Sequence, residues 1–249
     1  MLKGKKAVIF DLDGTLLNTM GVWTEVDRRL LKQLNGPTLS EREIVHFREQ
    51  ALLKYAVSQN PYEGLCAAWG HLCNSPLSGS QIHQLRFQIS RNLLKTDVRA
   101  REGVHELIQY LKTHQLKLAI ATCTKRANID LYAQSNPHIA HAFNFERDFS
   151  LILTRDDITH TKPDPEIYLL ALEKLGLTAN ECLVFEDSLS GVEAARCAGI
   201  DTVAIYESYS AQNAQTLRSV ATRYYMSFYD CLNDWLNIDT NHILSGSSY

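Results

Sequence analysis

Between residues 101 and 205 the chain alternates short apolar runs with stretches whose apolar residues recur at helical spacing. That alternation constrains the fold more than any other feature. Val104, Leu107, Ile108 and Leu111 make one helical face, Lys117–Thr122 follows as a strand, and a helix starts from about Lys125. Phe149–Leu153 reads as the next strand. Ile167, Leu170, Ala171 and Leu175 share a helix opened by Asp164-Pro165 and stopped by Gly176. Cys182–Glu186 is another strand, residues 189–198 form a small-residue helix ended by Gly199, and Ile200–Ile205 is a strand again. Repeated strand–helix units of this length imply a doubly wound α/β fold, a parallel sheet with helices on both faces. Such sheets bind ligands beyond the carboxyl ends of their strands, so the residues standing there carry the functional question.

One further apolar run, Ala7–Phe10, fits the same pattern but lies far upstream. Residues 20–98 separate it from the rest and show no convincing strand. Trp23, Val26, Leu30 and Leu34 recur at helical spacing up to Pro37, a second helical stretch runs on from Leu39-Ser40-Glu41, and two more lie around 62–73 and 78–95. The pattern predicts an all-helical insert of about 75 residues after the first strand. A chain of 249 residues accommodates one full domain and a smaller companion. The expected division is an α/β core of residues 1–18 and 97–249 and a small helical domain of residues 19–96.

Composition narrows the class. With 45% hydrophobic and 21% charged residues, 12 Gly and 6 Pro, the chain is neither disordered, collagen-like nor coiled-coil. Its 25 basic and 28 acidic residues form no basic stripe, so neither nucleic acid nor an anionic membrane is an expected partner. The lysine-rich start is followed only by Ala7–Phe10 before Asp11 interrupts, too short for an export signal. No window reaches the ~18–20 apolar residues of a membrane span. A cytoplasmic protein is expected, and nothing demands more than a monomer. The six cysteines form no CxxC pair, which argues against a disulfide framework or a zinc site. Cys182 and Cys197 sit in apolar patterns and are expected to be buried. The tail, Ser245-Gly-Ser-Ser-Tyr249, is expected to be loose.

Four strand ends carry polar groups able to act together. The first is Asp11-Leu12-Asp13-Gly14-Thr15. Side chains two apart on an extended chain point the same way, about 6.6 Å apart, and two carboxylates so placed repel unless a cation or a proton intervenes. The second is Thr122-Cys123-Thr124, a hydroxyl and free backbone N–H groups leading into a helix N-terminus, which suits an anion. The third is Thr161-Lys162-Pro163, where the proline favours an extended Lys162. The fourth is Glu186-Asp187-Ser188. Taken singly these have plainer readings: a polar turn, a helix cap, a solvated loop lysine, a pair of acids favouring a helix N-terminus. Four of them at the strand ends of one doubly wound pattern are better explained by metal-assisted phosphoryl transfer. Acids can hold Mg²⁺, one acid can attack phosphorus, and a lysine and a hydroxyl can orient and balance the phosphoryl oxygens.

These residues resemble, in order, the four motifs of the haloacid dehalogenase superfamily: Asp11-Leu-Asp-Gly-Thr15, Thr122, Lys162-Pro-Asp-Pro165 and Glu186-Asp187. The run Ser188-x-x-Gly191-x-x-Ala194-Ala195-x-x-Ala198-Gly199 is similarly typical of its phosphatase branch, and the insert falls where that branch carries a helical cap over a Rossmann-like core. The resemblance implies that Asp11 is the nucleophile and Asp13 the general acid and then base. It implies that Asp11, the backbone carbonyl of Asp13, Asp187 and Glu186 surround Mg²⁺, and that Thr122, Cys123, Lys162 and Gly14 belong to the phosphate-binding shell. The substrate it implies is a small phosphorylated metabolite such as a sugar phosphate. Cap closure would hinge near Leu17–Asn18 and Thr96–Ala100 and exclude water during transfer.

The same residues separate branches of the family. Dehalogenases have no alcohol to protonate and lack the second acid of the first motif, so Asp13 argues against that activity. β-Phosphoglucomutase-like members carry a His in the first cap helix, where this chain has Trp23, and their Arg-containing cap loop has no clear match within residues 40–56. A phosphatase is therefore preferred over a sugar phosphomutase. Trp23 shares the apolar face of Val26, Leu30 and Leu34 and is a candidate substrate contact as well as a packing residue. The cap cations Arg28, Arg29, Arg48 and Lys54 are expected on a solvated face. A non-catalytic phospho-ligand sensor is the rival from another class, since folds do not dictate function. A dinucleotide-binding oxidoreductase is disfavoured, because Gly14 stands alone where three glycines are needed.

Overall fold

The computed structural model describes residues 1–55 and 60–245, so the expected loose tail, 245–249, lies outside the described residues except for Ser245, which ends the last helix. The chain divides into two compact units, Met1–Asn18 with Arg99–Tyr249, and Thr19–Val98.

In chain order the elements are β1 (Ala7–Phe10), β2 (Leu17–Asn18), α1 (Met20–Gln33), α2 (Glu41–Lys54), α3 (Pro61–Leu72), α4 (Gly79–Thr96) and β3 (Arg99–Ala100). They continue with α5 (Val104–Thr113), β4 (Lys117–Ala121), α6 (Arg126–Ser135), α7 (Pro137–Ala140), α8 (Phe145–Asp148) and β5 (Leu151–Leu153). The last are α9 (Glu166–Leu175), β6 (Cys182–Glu186), α10 (Leu189–Cys197), β7 (Asp201–Ile205), α11 (Ala214–Val220), β8 (Arg223–Tyr225) and α12 (Phe228–Ser245).

Six strands form one parallel sheet in the order β5-β4-β1-β6-β7-β8. The doubly wound α/β fold expected from the alternation is therefore the fold observed. The order reverses at β1, which pairs with β4 on one side and β6 on the other. Register aligns Phe10 with both Ile120 and Phe185, so β1, β4 and β6 end at one level. Asp11 and Thr122, just beyond β1 and β4, and Glu186, the last residue of β6, are thereby brought to one mouth at the switch point.

All four residues of β1 are buried, as a central strand covered on both faces requires. On one face Ala7, Ile9, Ala119 and Val184 pack with Ile167, Tyr168 and Ala171 of α9 and Ala194 and Ala195 of α10. Elsewhere in the core the rings of Phe10 and Phe185 stack with centroids 5.1 Å apart, and Phe185 meets Phe228 and Trp235 of α12, each at 5.9 Å. The predicted face of α5, Val104, Leu107, Ile108 and Leu111, is buried throughout. The strand expected over Phe149–Leu153 is shorter, Leu151–Leu153, because Phe149 turns its ring into the aromatic group, edge-on to Phe10 and Phe143. Elements after Ile205 were not legible in the sequence. β8 is three residues long, and α12 is anchored by Phe228, Cys231, Leu232 and Trp235.

The Thr19–Val98 unit is all-helical. Capping boxes at Ser40/Glu43 and Ser78/Gln81 start α2 and α4, each satisfying backbone donors that a helix start leaves unpaired. Its core holds Val26, Leu30, Ile44, Leu65, Trp69, Ile82 and Leu93. Two expectations need correction. Arg48 is not on a solvated face: it is buried and its Nη1 donates to Asp27 at 2.9 Å, while Arg86 Nε donates to the other oxygen of Asp27 at 2.7 Å. Arg28 and Arg29 do lie on an exposed face and pair with Glu25. Cys197 is exposed, at the last position of α10 beside the equally exposed Arg196; Cys182 is buried as expected, and all six cysteines are free. Trp23 is half-buried, with the Arg86 guanidinium 5.2 Å from its ring centroid. Among the described residues no helix is long and apolar enough to cross a membrane.

Candidate active site

β1 ends at Phe10, and the chain immediately turns. Asp11 N donates to Phe185 O at 2.9 Å, which extends the sheet by one bond and sets the Asp11 side chain between β4 and β6. Gly14 sits at φ +94°, a conformation that side chains resist. A Cβ there would also collide with the Asp187 carboxylate. The turn is closed by Gly14 N donating to Leu17 O at 2.8 Å and Leu17 N to Leu12 O at 2.9 Å. Thr15 Oγ1 donates to Asp187 Oδ1 at 2.8 Å, tying the first motif to the fourth.

Because the chain turns, Asp11 and Asp13 do not share one environment as the extended spacing suggested. Asp11, Glu186 and Asp187 each bring a carboxylate oxygen within 4.8 Å of the others, and all three are buried. The Asp13 carboxylate instead accepts from the hydroxyls of Thr124 and, at 3.4 Å, Tyr132. Thr122 is buried and its hydroxyl accepts from Thr124 N at 3.1 Å; the neighbouring Cys123 is exposed.

Lys162 reaches the carboxylates from the loop before α9. Its Nζ donates to Asp11 Oδ1 and Glu186 Oε1, both at 2.6 Å, and to Ala121 O at 3.0 Å. Its three protons are thus all engaged. The Lys162–Pro163 peptide is cis. Glu166 steadies this loop by accepting from Thr159 N at 2.8 Å and His160 N at 2.7 Å. Far from being a solvated loop side chain, Lys162 is only 5% exposed.

Glu186 is the organising group. Its Oε1 accepts from Lys162 and, at 2.9 Å, from the hydroxyl of buried Tyr168; its Oε2 accepts from Asp187 N, Ser188 N and Ser188 Oγ at 3.1–3.3 Å. Gly191 makes room for it, since a Cβ at that position would fall inside the Glu186 carboxylate. That close approach explains a glycine one turn into α10, where glycine otherwise costs helix stability.

The electrostatics follow from burial. Burial pushes the Asp11 carboxyl well above the usual range, with Glu186 and Asp187 adding to the rise and Lys162 opposing it. Burial and then Glu186 push Asp187 up to about 7. Burial works against the Lys162 ammonium, but Asp11 and Glu186 hold its pKa well above the ordinary value. Three carboxylates are thus opposed by the Lys162 ammonium and, from beside Asp187, by the Arg101 guanidinium, which leaves the local surplus negative. Oxygen donors with surplus negative charge fit a hard divalent cation.

All the strand-end residues singled out in the sequence therefore lie on one unit, with Trp23 on the other. Sequence reasoning missed Thr124, Tyr132, Tyr168 and Arg101. Thr124 was within the Thr-Cys-Thr already noted; the others sit on helices or a loop with no local signal. Arg101 donates to the carbonyls of Gly14 and Tyr206.

The family model of haloacid dehalogenase-like hydrolases matches residues 8–205. A Thermotoga maritima protein named phosphorylated carbohydrates phosphatase is 30% identical over 201 residues, covering 80% of this chain and 83% of that protein. Protein CbbY of Rhodobacter capsulatus is 32% identical over 225 residues, covering 82% of this chain and 87% of that one. Among solved structures, CbbY from Rhodobacter sphaeroides in complex with phosphate is 25% identical with a TM-score of 0.69, covering 90% of this chain and 95% of that one. A mutant of the same protein has been solved with xylulose-(1,5)bisphosphate, at the same identity and TM-score.

Proposed function

The chain belongs to the haloacid dehalogenase-like hydrolases, and from that premise we propose that it is a Mg²⁺-dependent phosphatase of small phosphorylated carbohydrates, working through an aspartyl-phosphate. The observation that carries this reading is the surplus of carboxylates around one lysine at the switch point. The relatives named above supply the substrate class: one is named for phosphorylated carbohydrates and another has been solved with a sugar bisphosphate.

Asp11 and Asp187, with the backbone carbonyl of Asp13, would hold the cation. Glu186, whose oxygens already accept from five donors, would serve by fixing Lys162 and the start of the fourth motif. When bound, Mg²⁺ supplies charge neutralisation at the phosphoryl oxygens and favours ionised Asp11. Asp11 then attacks phosphorus as the bond to the leaving oxygen breaks, and Asp13 gives that oxygen a proton. In the second half Asp13 takes a proton from water, the resulting hydroxide attacks phosphorus, and Asp11 and inorganic phosphate are released. The opposite proton duties of the two acids fit their separate surroundings. Asp13 is held by the neutral hydroxyls of Thr124 and Tyr132, Asp11 by an ammonium. Lys162 and Thr122 would receive the phosphoryl oxygens, with Cys123 and Gly14 contributing backbone to the same turn. For Lys162 this means trading one of its three bonds for one to substrate.

The test is phosphate release from a panel of sugar, nucleotide and small-acid phosphates, with Mg²⁺ and with chelator, for the wild type and Asp11→Asn. The expected result is Mg²⁺-dependent release, strongest on sugar phosphates and abolished in the variant. Silence across the panel would return the weight to a phospho-ligand sensor. Isomerised sugar phosphate without phosphate release would establish a mutase.

A further inference from the structure

We infer that Arg101 is a positioning residue for this reaction: by bridging the carbonyls of Gly14 and Tyr206 it keeps the catalytic turn pressed against Asp187, and so sets the affinity for the divalent cation. The inference rests on the phosphatase reading and adds a residue that none of the four strand-end motifs contains.

Arg101 is anchored at both ends. Its backbone N donates to Leu16 O at 2.9 Å, directly after the Leu17↔Ala100 and Asn18↔Arg99 pairing of β2 with β3. Its side chain then crosses to the turn. One terminal nitrogen donates to Gly14 O and the other to Tyr206 O beyond the end of β7, while the guanidinium carbon stands 5.7 Å from the ring centroid of buried Phe228. A planar fork can bridge two carbonyls in this way, whereas an ammonium is a point donor.

What the bridge holds is the peptide on which Asp187 leans. Gly14 has its N–H bonded to Leu17 O and its carbonyl to Arg101, so both faces of the residue are pinned. The Asp187 carboxylate lies against the missing Cβ of Gly14, and the next residue, Thr15, donates to Asp187 Oδ1. Movement of the Gly14–Thr15 peptide therefore moves the wall and the hydrogen bond that orient Asp187 together. Gly14, Asn18, Arg101, Tyr206, Glu207 and Ser208 line a cleft of about 200 Å³, so removing the guanidinium takes the bridging donor from two carbonyls at the wall of an open cleft. Partners that orient a metal ligand are worth about 10–100-fold in metal affinity.

The experiment titrates Mg²⁺ by calorimetry into the wild type, Arg101→Met and Arg101→Lys, and measures kcat and KM for the best phosphate ester alongside. Arg101→Met keeps an unbranched apolar side chain but removes both donors, and is expected to weaken Mg²⁺ binding at least about tenfold. Its kcat should fall at limiting Mg²⁺ and recover as Mg²⁺ is raised to saturation, while KM for the ester changes little. Arg101→Lys, able to reach one carbonyl, should fall between. A purely structural role would lower the thermal midpoint and leave Mg²⁺ affinity within twofold of wild type, and that result overturns the inference. If Arg101→Met fails to fold, Arg101→Lys decides by the same criterion. Wild-type protein that neither binds Mg²⁺ nor releases phosphate overturns the phosphatase reading instead, and the two failures are thereby distinct.

Discussion

Each unit buries a cluster of charges, and the two clusters are opposites. In the helical unit one carboxylate, Asp27, is gripped by two guanidiniums, Arg48 and Arg86, from three different helices. In the α/β unit three carboxylates cluster around one ammonium that pairs with two of them, and the carboxylates stand at the end of β6 and just past the ends of β1 and β6. The first cluster is closed: both oxygens of its carboxylate are taken, and one of its arginines lies against Trp23. The second cluster has negative charge left over. In this molecule, then, what distinguishes the candidate site from the structural cluster is that its buried charge is unbalanced. A balanced buried network serves its own fold and is costly to break from one side.

Substitutions can break this contrast. Asp11→Asn should remove the nucleophile and lower phosphate release by at least about 10⁴-fold while far-UV circular dichroism is unchanged. Residual activity within about tenfold of wild type, near 1.4 kcal/mol of barrier, would remove Asp11 from that role. Asp27→Ala should act on the other quantity. Leaving two buried guanidiniums unanswered costs about 3–5 kcal/mol of stability, readable by urea titration. Mg²⁺ binding by the folded fraction should be unaltered. A stable Asp27→Ala protein would mean that the helical cluster is not closed.

The contrast also predicts a pH dependence. The Asp187 carboxyl rises from an ordinary 3.8 to about 7 in the metal-free protein, chiefly through burial and then through Glu186. The folded state thus keeps a proton that the unfolded chain releases, so metal-free stability should fall as pH rises from about 4 to about 7 and level off above. Saturating Mg²⁺ should remove most of that slope, because the cation takes the place of the proton. A thermal midpoint in chelator that rises between pH 5 and pH 7 would contradict the unbalanced cluster. Smallest of all is Tyr168→Phe. It deletes one of the hydrogen bonds to Glu186 without changing the ring, and should cost about 1 kcal/mol, seen as a several-fold lower kcat with little change in KM. An unchanged kcat would confine Tyr168 to packing.

The residues that proved legible were those whose neighbours along the chain announced them. Asp11, Thr122, Lys162 and Glu186-Asp187 each follow or interrupt a hydrophobic period, and a parallel sheet sends the ends of adjacent strands to one place. Gly14 and Gly191 were visible as glycines but not as clearances, since what they avoid is a carboxylate far away in the sequence. Arg48 was misread because its spacing suits an exposed helix face; the carboxylate that draws it inward is 21 positions away. Cys197 was misread for the converse reason, an apolar neighbourhood in sequence at a helix end that faces outward.

What the sequence determined by itself is the alternation of strand and helix, the helical insert and the list of strand-end side chains, because periodicity and chain direction are local properties. Only the tertiary structure decided which of those side chains share a charge environment. It separated Asp11 from Asp13, placed Tyr168 on Glu186, and carried Arg101 to Gly14 and Tyr206. Such pairings depend on distances between segments remote in sequence, and a hydrogen bond forms only where the folded chain brings donor and acceptor to about 3 Å, which no local pattern encodes.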